Sequence, residues 1–108
     1  MTLEEFSGGY YRAEMTVQPY EEGPVIDKYL YDFINREVYA QTNAPITMRV
    51  GIDKGPYFTV DGEGAMPTDV LAIPQEWMDD MDISGEVESV FLLKPEHSYF
   101  INQSVDLG

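Results

Sequence analysis

Apolar and polar side chains alternate strictly between Tyr10 and Gln18, and this pattern limits the fold more than any other feature of the chain. One side of an extended segment would carry only apolar or aromatic residues, namely Tyr11, Ala13, Met15 and Val17. A period of two is typical of a strand with one buried face. The chain is therefore expected to build a sheet over a core, with Arg12 on the polar side.

Further strands follow from the same signal. Alternation returns between Ile46 and Ile52, with Arg49 on the polar side, and short apolar runs predict strands at 57–60 and 69–73. The segment 86–94 is continuously apolar near its end, which favours a central strand. Residues 98–105 fit either a last strand or a short helix.

A helical pattern occupies residues 24–40, with Pro24 at its start and Asp27 in its first turn. Its apolar stripe consists of Ile26, Tyr29, Leu30, Phe33, Ile34 and Val38. Tyr31 and Tyr39 fall on the opposite, exposed side. A short helix is predicted at 75–81, with Trp77, Met78 and Met81 facing inward.

The fold class that these elements predict is α+β, a mostly antiparallel sheet with one long amphipathic helix and one short helix. The 108 residues suffice for a single α+β domain, 1–108, and no segment repeats another.

Composition excludes several kinds of chemistry. The chain has no cysteine and one histidine, His97, so thiol catalysis, zinc sites and a Ser-His-acid triad have no basis, and no motif for a cofactor is present. Six basic residues disfavour direct binding to nucleic acid. No apolar run is long enough for a membrane span, and we therefore expect a cytoplasmic protein. The missing catalytic constellations favour a non-enzyme over an enzyme.

Twenty acidic residues give a net charge of -14, and they are scattered along the chain rather than gathered in a tail. This pattern predicts an acidic surface that binds hydrated K⁺ and Na⁺ and keeps the protein soluble in molar salt. A halophilic cytoplasm is the expected environment, and an acidic mimic of nucleic acid or an ordinary acidic protein is the alternative.

Three residues are candidates for binding a ligand. Arg12 and Arg49 would share one surface if their strands were neighbours, and that surface could bind an anion or an acidic partner. Salt bridges to nearby carboxylates are the alternative. Glu37 projects into the apolar stripe, where an ionised carboxylate is costly, so it is either a functional acid or an exposed residue paired with an arginine such as Arg36.

Asp61, Glu63 and Asp69 lie in and beside a glycine-rich loop, and they are weak candidates for a Ca²⁺ or Mg²⁺ site. Their spacing does not match an EF-hand. Solvated surface carboxylates are the alternative.

Four segments resemble a small uncharacterised protein family of halophilic archaea: Glu4–Tyr11, Ile34–Ala40, Met66–Pro74 and Phe91–Glu96. The resemblance implies a haloarchaeal origin and carries over no activity, cofactor or catalytic residue.

A second resemblance covers 69–78 and 83–93, which are similar to the order of strand, Ile-Pro, short helix, Ile-x-x-Gly and strand in AbrB-type swapped-hairpin transcription regulators. It implies an intertwined dimer that binds DNA. The chain lacks the arginines and lysines that such proteins place against DNA.

Three functions are therefore compatible with the sequence. The first is a non-enzymatic interaction or accessory module with a protein partner or a second copy of itself. The second is a small enzyme or anion-binding protein that uses Glu37 with Arg12 and Arg49. The third is an AbrB-like regulator.

Because salt screens repulsion among the carboxylates, the midpoint of thermal unfolding should rise between about 0.1 M and about 2 M KCl. Circular dichroism or calorimetry at a series of KCl concentrations measures the shift. A midpoint that does not change with salt would contradict the halophilic interpretation.

Overall fold

The computed structural model describes residues 3–7, 9–41, 44–51 and 55–94, which form seven strands and two short α-helices. The strands are β1 (Glu4–Ser7), β2 (Tyr10–Pro19), β3 (Val25–Asp27), β4 (Ile46–Val50), β5 (Phe58–Glu63), β6 (Val70–Ile73) and β7 (Val87–Leu93). The helices are α1 (Lys28–Phe33), which continues into a π-helical segment (Ile34–Val38), and α2 (Gln75–Asp80). His97 and the ambiguous segment 98–105 lie outside the described residues.

Six of the strands close into a ring. Their order is β2, β6, β3, β5, β4 and β7, and β7 pairs back onto β2 from Tyr10↔Leu93 to Thr16↔Val87. β1 pairs with the beginning of β2 on the edge that β7 leaves free. The ring is completed by strands of one chain, including the β6–α2–β7 unit to which the likeness to swapped-hairpin proteins applies.

The prediction of a mostly antiparallel sheet is wrong, because the sheet is mixed. β2 runs parallel to β6, and β3 runs parallel to β5. These neighbours come from distant parts of the chain, so their relative direction is not determined by a hairpin between them. Short turns and local periodicity contain no information about such pairings.

The topology has an internal two-fold relation. Exchanging β2 with β5, β3 with β6, α1 with α2, and β4 with β7 turns every pairing in the ring into another pairing of the same direction. Each half thus has the order strand, strand, helix, strand. The ring forms because each half places its strands between those of the other.

The core is formed by side chains that alternate along the strands. Those that are fully buried include Met15, Val17, Ile26, Ile46, Met48, Val50, Leu71, Ile73, Val90 and Leu92. Leu30 and Ile34 from the first helical region, and Met78 and Met81 from α2 and its C-terminal end, join the same cluster. The predicted strands at 10–18 and 86–94 are confirmed as β2 and β7, and the inward side of the short helix is confirmed in α2. The strand predicted at 46–52 is confirmed as β4 up to Val50, and residue 52 lies outside the described residues.

The prediction of one long amphipathic helix over 24–40 is also wrong. Residues 25–27 form β3 between β5 and β6, and all three are buried. Asp27 caps α1 instead of lying in its first turn: Oδ2 accepts from the Leu30 amide at 3.2 Å, and Oδ1 accepts from the Met66 amide at 3.0 Å. Ile26 happens to be in phase with Leu30 and Ile34, which explains the error.

The π-helical segment changes which side chains are covered. Its wide turn is closed by the Tyr39 amide, which donates to the Ile34 carbonyl at 2.8 Å. Tyr39 is buried and its hydroxyl donates to the Leu93 carbonyl, whereas Tyr29 is 79% exposed and Phe33 46% exposed. The sequence placed Tyr29 and Phe33 in the core and Tyr39 in solvent, and the structure reverses this.

Gly62 permits α1 to pack against β5. A Cβ atom at this position would lie 2.8 Å from the Tyr31 Cβ, which is closer than carbon atoms tolerate. We expect Gly62→Ala to lower the free energy of unfolding by about 1–3 kcal/mol, because the helix must move away. Gly64→Ala is the matched control, since a Cβ there meets nothing within 4 Å.

Urea unfolding of both variants, followed by circular dichroism at one KCl concentration, measures the difference. Equal stabilities would show that the contact between α1 and β5 tolerates a methyl group.

Candidate functional site

Arg12 and Arg49 lie in one row across the outer face of the ring. Phe91 on β7 is paired with Arg12 on one side and with Arg49 on the other. Two strand spacings separate the arginine Cα atoms, a distance of about 10 Å. β2 and β4 are therefore not direct neighbours, but their polar sides do share one surface with β7 between them.

Arg12 is already surrounded by acceptors. Its guanidinium lies 3.5 Å from a Glu14 oxygen and 3.9 Å from a Glu4 oxygen, and Nη2 donates to the Ser89 hydroxyl at 3.2 Å. A polar cavity of about 300 Å³ is lined by Glu4, Arg12, Ala13 and Glu14. The salt-bridge alternative thus describes Arg12, whose charge is balanced by its own neighbours.

Arg49 has different surroundings. Its Nε donates to the Gly55 carbonyl at 2.8 Å, and its guanidinium carbon lies 5.2 Å from the centre of the Tyr57 ring. Among the described residues, no carboxylate lies within ion-pair distance of Arg49. One hydrogen bond and one ring therefore orient the guanidinium without neutralising it.

Aromatic rings surround this arginine. Tyr10 and Tyr57 are stacked with centroids 6.5 Å apart and planes 11° apart, and their hydroxyls share a hydrogen bond at 3.0 Å. Phe6 packs edge-on against Phe91 at 5.1 Å. Phe6 lies where the β1–β2 register shifts, and such a bulge redirects a side chain.

A half-open cavity of about 170 Å³ lies between these groups, and we term it the Arg49 pocket. The described residues that line it are Phe6, Tyr10, Arg49, Gly51, Tyr57 and Phe91. Its wall is apolar apart from one guanidinium and the tyrosine hydroxyls. Such a lining combines dispersion contacts with a single point of charge recognition.

Tyr10 stays protonated at neutral pH. The hydrogen bond with Tyr57 raises the pKa of Tyr10 above its ordinary value of 10.0, the charge of an ionised Tyr57 and partial burial act in the same direction, and Arg49 opposes them. At neutral pH Tyr10 can therefore donate a hydrogen bond, but it cannot serve as a base.

The other candidates are not brought to this pocket. Glu37 belongs to the π-helical segment, where its exposed carboxylate lies 3.3 Å from Arg36 Nε, and the described lining of both arginine cavities does not include it. Its side chain does not face the core, because the helical region is shorter and differently phased than the sequence indicated.

The weak metal candidates are likewise dispersed on the surface. Asp61 and Glu63 are exposed on β5, and Asp69 is exposed in the turn before β6. Within the described ranges, no three acidic or imidazole side chains are grouped closely enough to hold a metal ion.

Alternation identified Arg49 and put Tyr10 on the same polar side, but it missed the other three rings of the pocket. Tyr57 and Phe6 lie outside the strictly alternating segments, and Phe91 belongs to a run interpreted as buried on both sides. Strand alternation could have identified Phe91. Its neighbours Val90 and Leu92 are core residues, so the side chain of Phe91 points to the outer face of the sheet.

Fold and site together define a small closed-barrel protein with an arginine in an aromatic surface pocket. No helix in the described part of the chain is long and apolar enough to cross a membrane. Residues 2–106 match the model of DUF5802, a family of unknown function, and the chain belongs to that family. No curated protein and no solved structure matches the chain.

Replacing Tyr57 with phenylalanine should lower the pKa of Tyr10 towards 10.0, because it removes the hydrogen bond that contributes most to raising that pKa. The Cζ resonance of Tyr10, followed by NMR from pH 8 to about pH 12, reports the ionisation. Tyr29→Phe makes the same chemical change at an exposed position and should leave it unaltered. An unchanged pKa in Tyr57→Phe would mean that the two hydroxyls do not interact.

Proposed function

We propose that this protein is a non-enzymatic binding module of a halophilic cytoplasm, and that the Arg49 pocket recognises an anionic group of its ligand or partner. The observation that carries the proposal is the contrast between the two arginines of one row. Arg12 lies between two carboxylates, whereas Arg49 is held in place by Gly55 and Tyr57 with no carboxylate in range among the described residues.

An oriented guanidinium is well suited to this role. Because its position is already fixed, little side-chain entropy is lost when an anion binds, and hydrogen bonds between charged groups are stronger than neutral ones. The apolar wall strengthens the interaction further by excluding water from one side. A carboxylate of a partner protein and a free small anion share this chemistry.

The lining favours binding over catalysis. The described residues of the pocket include no carboxylate and no imidazole, and Tyr10 remains protonated at neutral pH. The described lining thus offers a point of attachment but no group suited to accept a proton from a substrate at neutral pH.

Exposure of the acidic residues supports the halophilic part of the proposal. Among the described Asp and Glu side chains, all but Asp27 and Glu88 are exposed, and Glu88 is half-buried. Such a surface binds hydrated K⁺ and Na⁺ at high salt. The likeness to proteins of halophilic archaea points in the same direction.

The proposal is tested by titrating the full chain in about 2 M KCl with the potassium salts of acetate, benzoate and sulfate at constant ionic strength. We expect at least one anion to shift the Arg49 Nε–H resonance and the Tyr10 and Tyr57 ring resonances in a saturable manner. Arg49→Gln should abolish the saturable shift of the tyrosine rings.

Arg12→Gln is the matched control, since it removes the same charge from the same row of the sheet. It should leave the titration unchanged, because its guanidinium is occupied by Glu4 and Glu14. The proposal is wrong if no anion gives a saturable shift, or if both variants change it equally.

A further inference from the structure

We infer that the ligand of the Arg49 pocket is a small aromatic carboxylate, one planar ring bearing one carboxylate group. This inference rests on the proposed function and specifies the chemical class that the pocket would accept. Three properties of the pocket lead to it: the free edge of the guanidinium, the nature of the walls and the size of the cavity.

The guanidinium edge favours a planar, singly charged group. Arg49 uses Nε for the Gly55 carbonyl and one face for the Tyr57 ring. No other described residue is bonded to its two terminal nitrogens, and these are the donors that a ligand would meet. Two parallel N–H groups match the two oxygens of a carboxylate. Phosphate carries more charge and is usually bound by several cations or backbone amides, whereas Arg49 is the one cationic side chain in the described lining.

The walls favour a ring. Tyr10 and Tyr57 present stacked rings beside the arginine, and Phe6 and Phe91 close the other side. Aromatic pairs prefer offset or edge-to-face contacts, and both arrangements already occur among these four side chains. A flat ring attached to the carboxylate would continue this packing, whereas an aliphatic acid such as acetate would leave the walls largely uncovered.

The size limits the ligand to a single ring. A cavity of about 170 Å³ is comparable to the roughly 150 Å³ apolar cavities that bind benzene. One ring can lie inside while its carboxylate meets Arg49 at the margin. A two-ring acid would extend beyond the described walls.

The test compares potassium benzoate with potassium acetate, which lacks the ring, and benzyl alcohol, which lacks the charge, in about 2 M KCl. The dissociation constant for benzoate should be about tenfold lower than for either of the others, with shifts at the Phe6, Tyr10 and Tyr57 rings. Arg49→Gln should weaken benzoate binding about tenfold, and Arg12→Gln should leave it unaltered.

Arg49→Lys separates charge from geometry, because lysine keeps the charge without the planar pair of donors. We expect it to weaken benzoate binding by about as much as Arg49→Gln, and its far-ultraviolet circular dichroism should match the wild type. If acetate binds as tightly as benzoate and still depends on Arg49, the aromatic specificity is wrong and anion recognition stands. If no binding of benzoate, acetate or sulfate depends on Arg49, both proposals are wrong.

Discussion

Pairing between β2 and β7 is the constraint on which the rest of the structure depends. It joins the two ends of the strand order, from Tyr10↔Leu93 to Thr16↔Val87, and converts an open mixed sheet into a ring with a filled interior. It also places β7 between β2 and β4, so Phe91 lies between the two arginines. Closure therefore determines both the core and the site, although it is a contact between segments at opposite ends of the described chain.

Hydrophobic periodicity predicted the strands and the helix that have one buried face and one exposed face. β2 and β4 face the core with alternate residues, and α2 buries one face, so their sequences show a clear period. β3 has no such period because all three of its residues are buried between β5 and β6. The two-fold relation between the halves is also not apparent in the sequence, since no segment repeats another.

The site was predictable to the extent that it depends on strand parity. Arg12 and Arg49 were placed on polar faces by alternation alone, and the structure brings them into one row. Their different surroundings depend on which residues lie across the strands, and no local pattern contains that information. The position of Glu37 was predicted wrongly for a related reason, since the strand at 25–27 and the π-helical turn changed the phase of the helix.

Sheet geometry explains why no carboxylate of the described residues neutralises Arg49, although the chain has twenty acidic residues. Side chains on one face contact the residues two positions away and those directly across the ladder. For Arg12 these include Glu14 and, on β1, Glu4. For Arg49 they are Thr47, Gly51, Phe91 and, by extension of the Met48↔Phe58 register, Tyr57.

Within the part of the chain that the structure describes, the charges that oppose an anion at Arg49 are distant ones, and molar salt screens them, because the Debye length falls to about 3 Å. At this salt concentration, only groups in direct contact with the bound anion interact with it without strong screening. Apart from Arg49, the described side chains at that distance are aromatic. The same salt that relieves repulsion within the acidic chain therefore removes the long-range barrier to an anionic ligand.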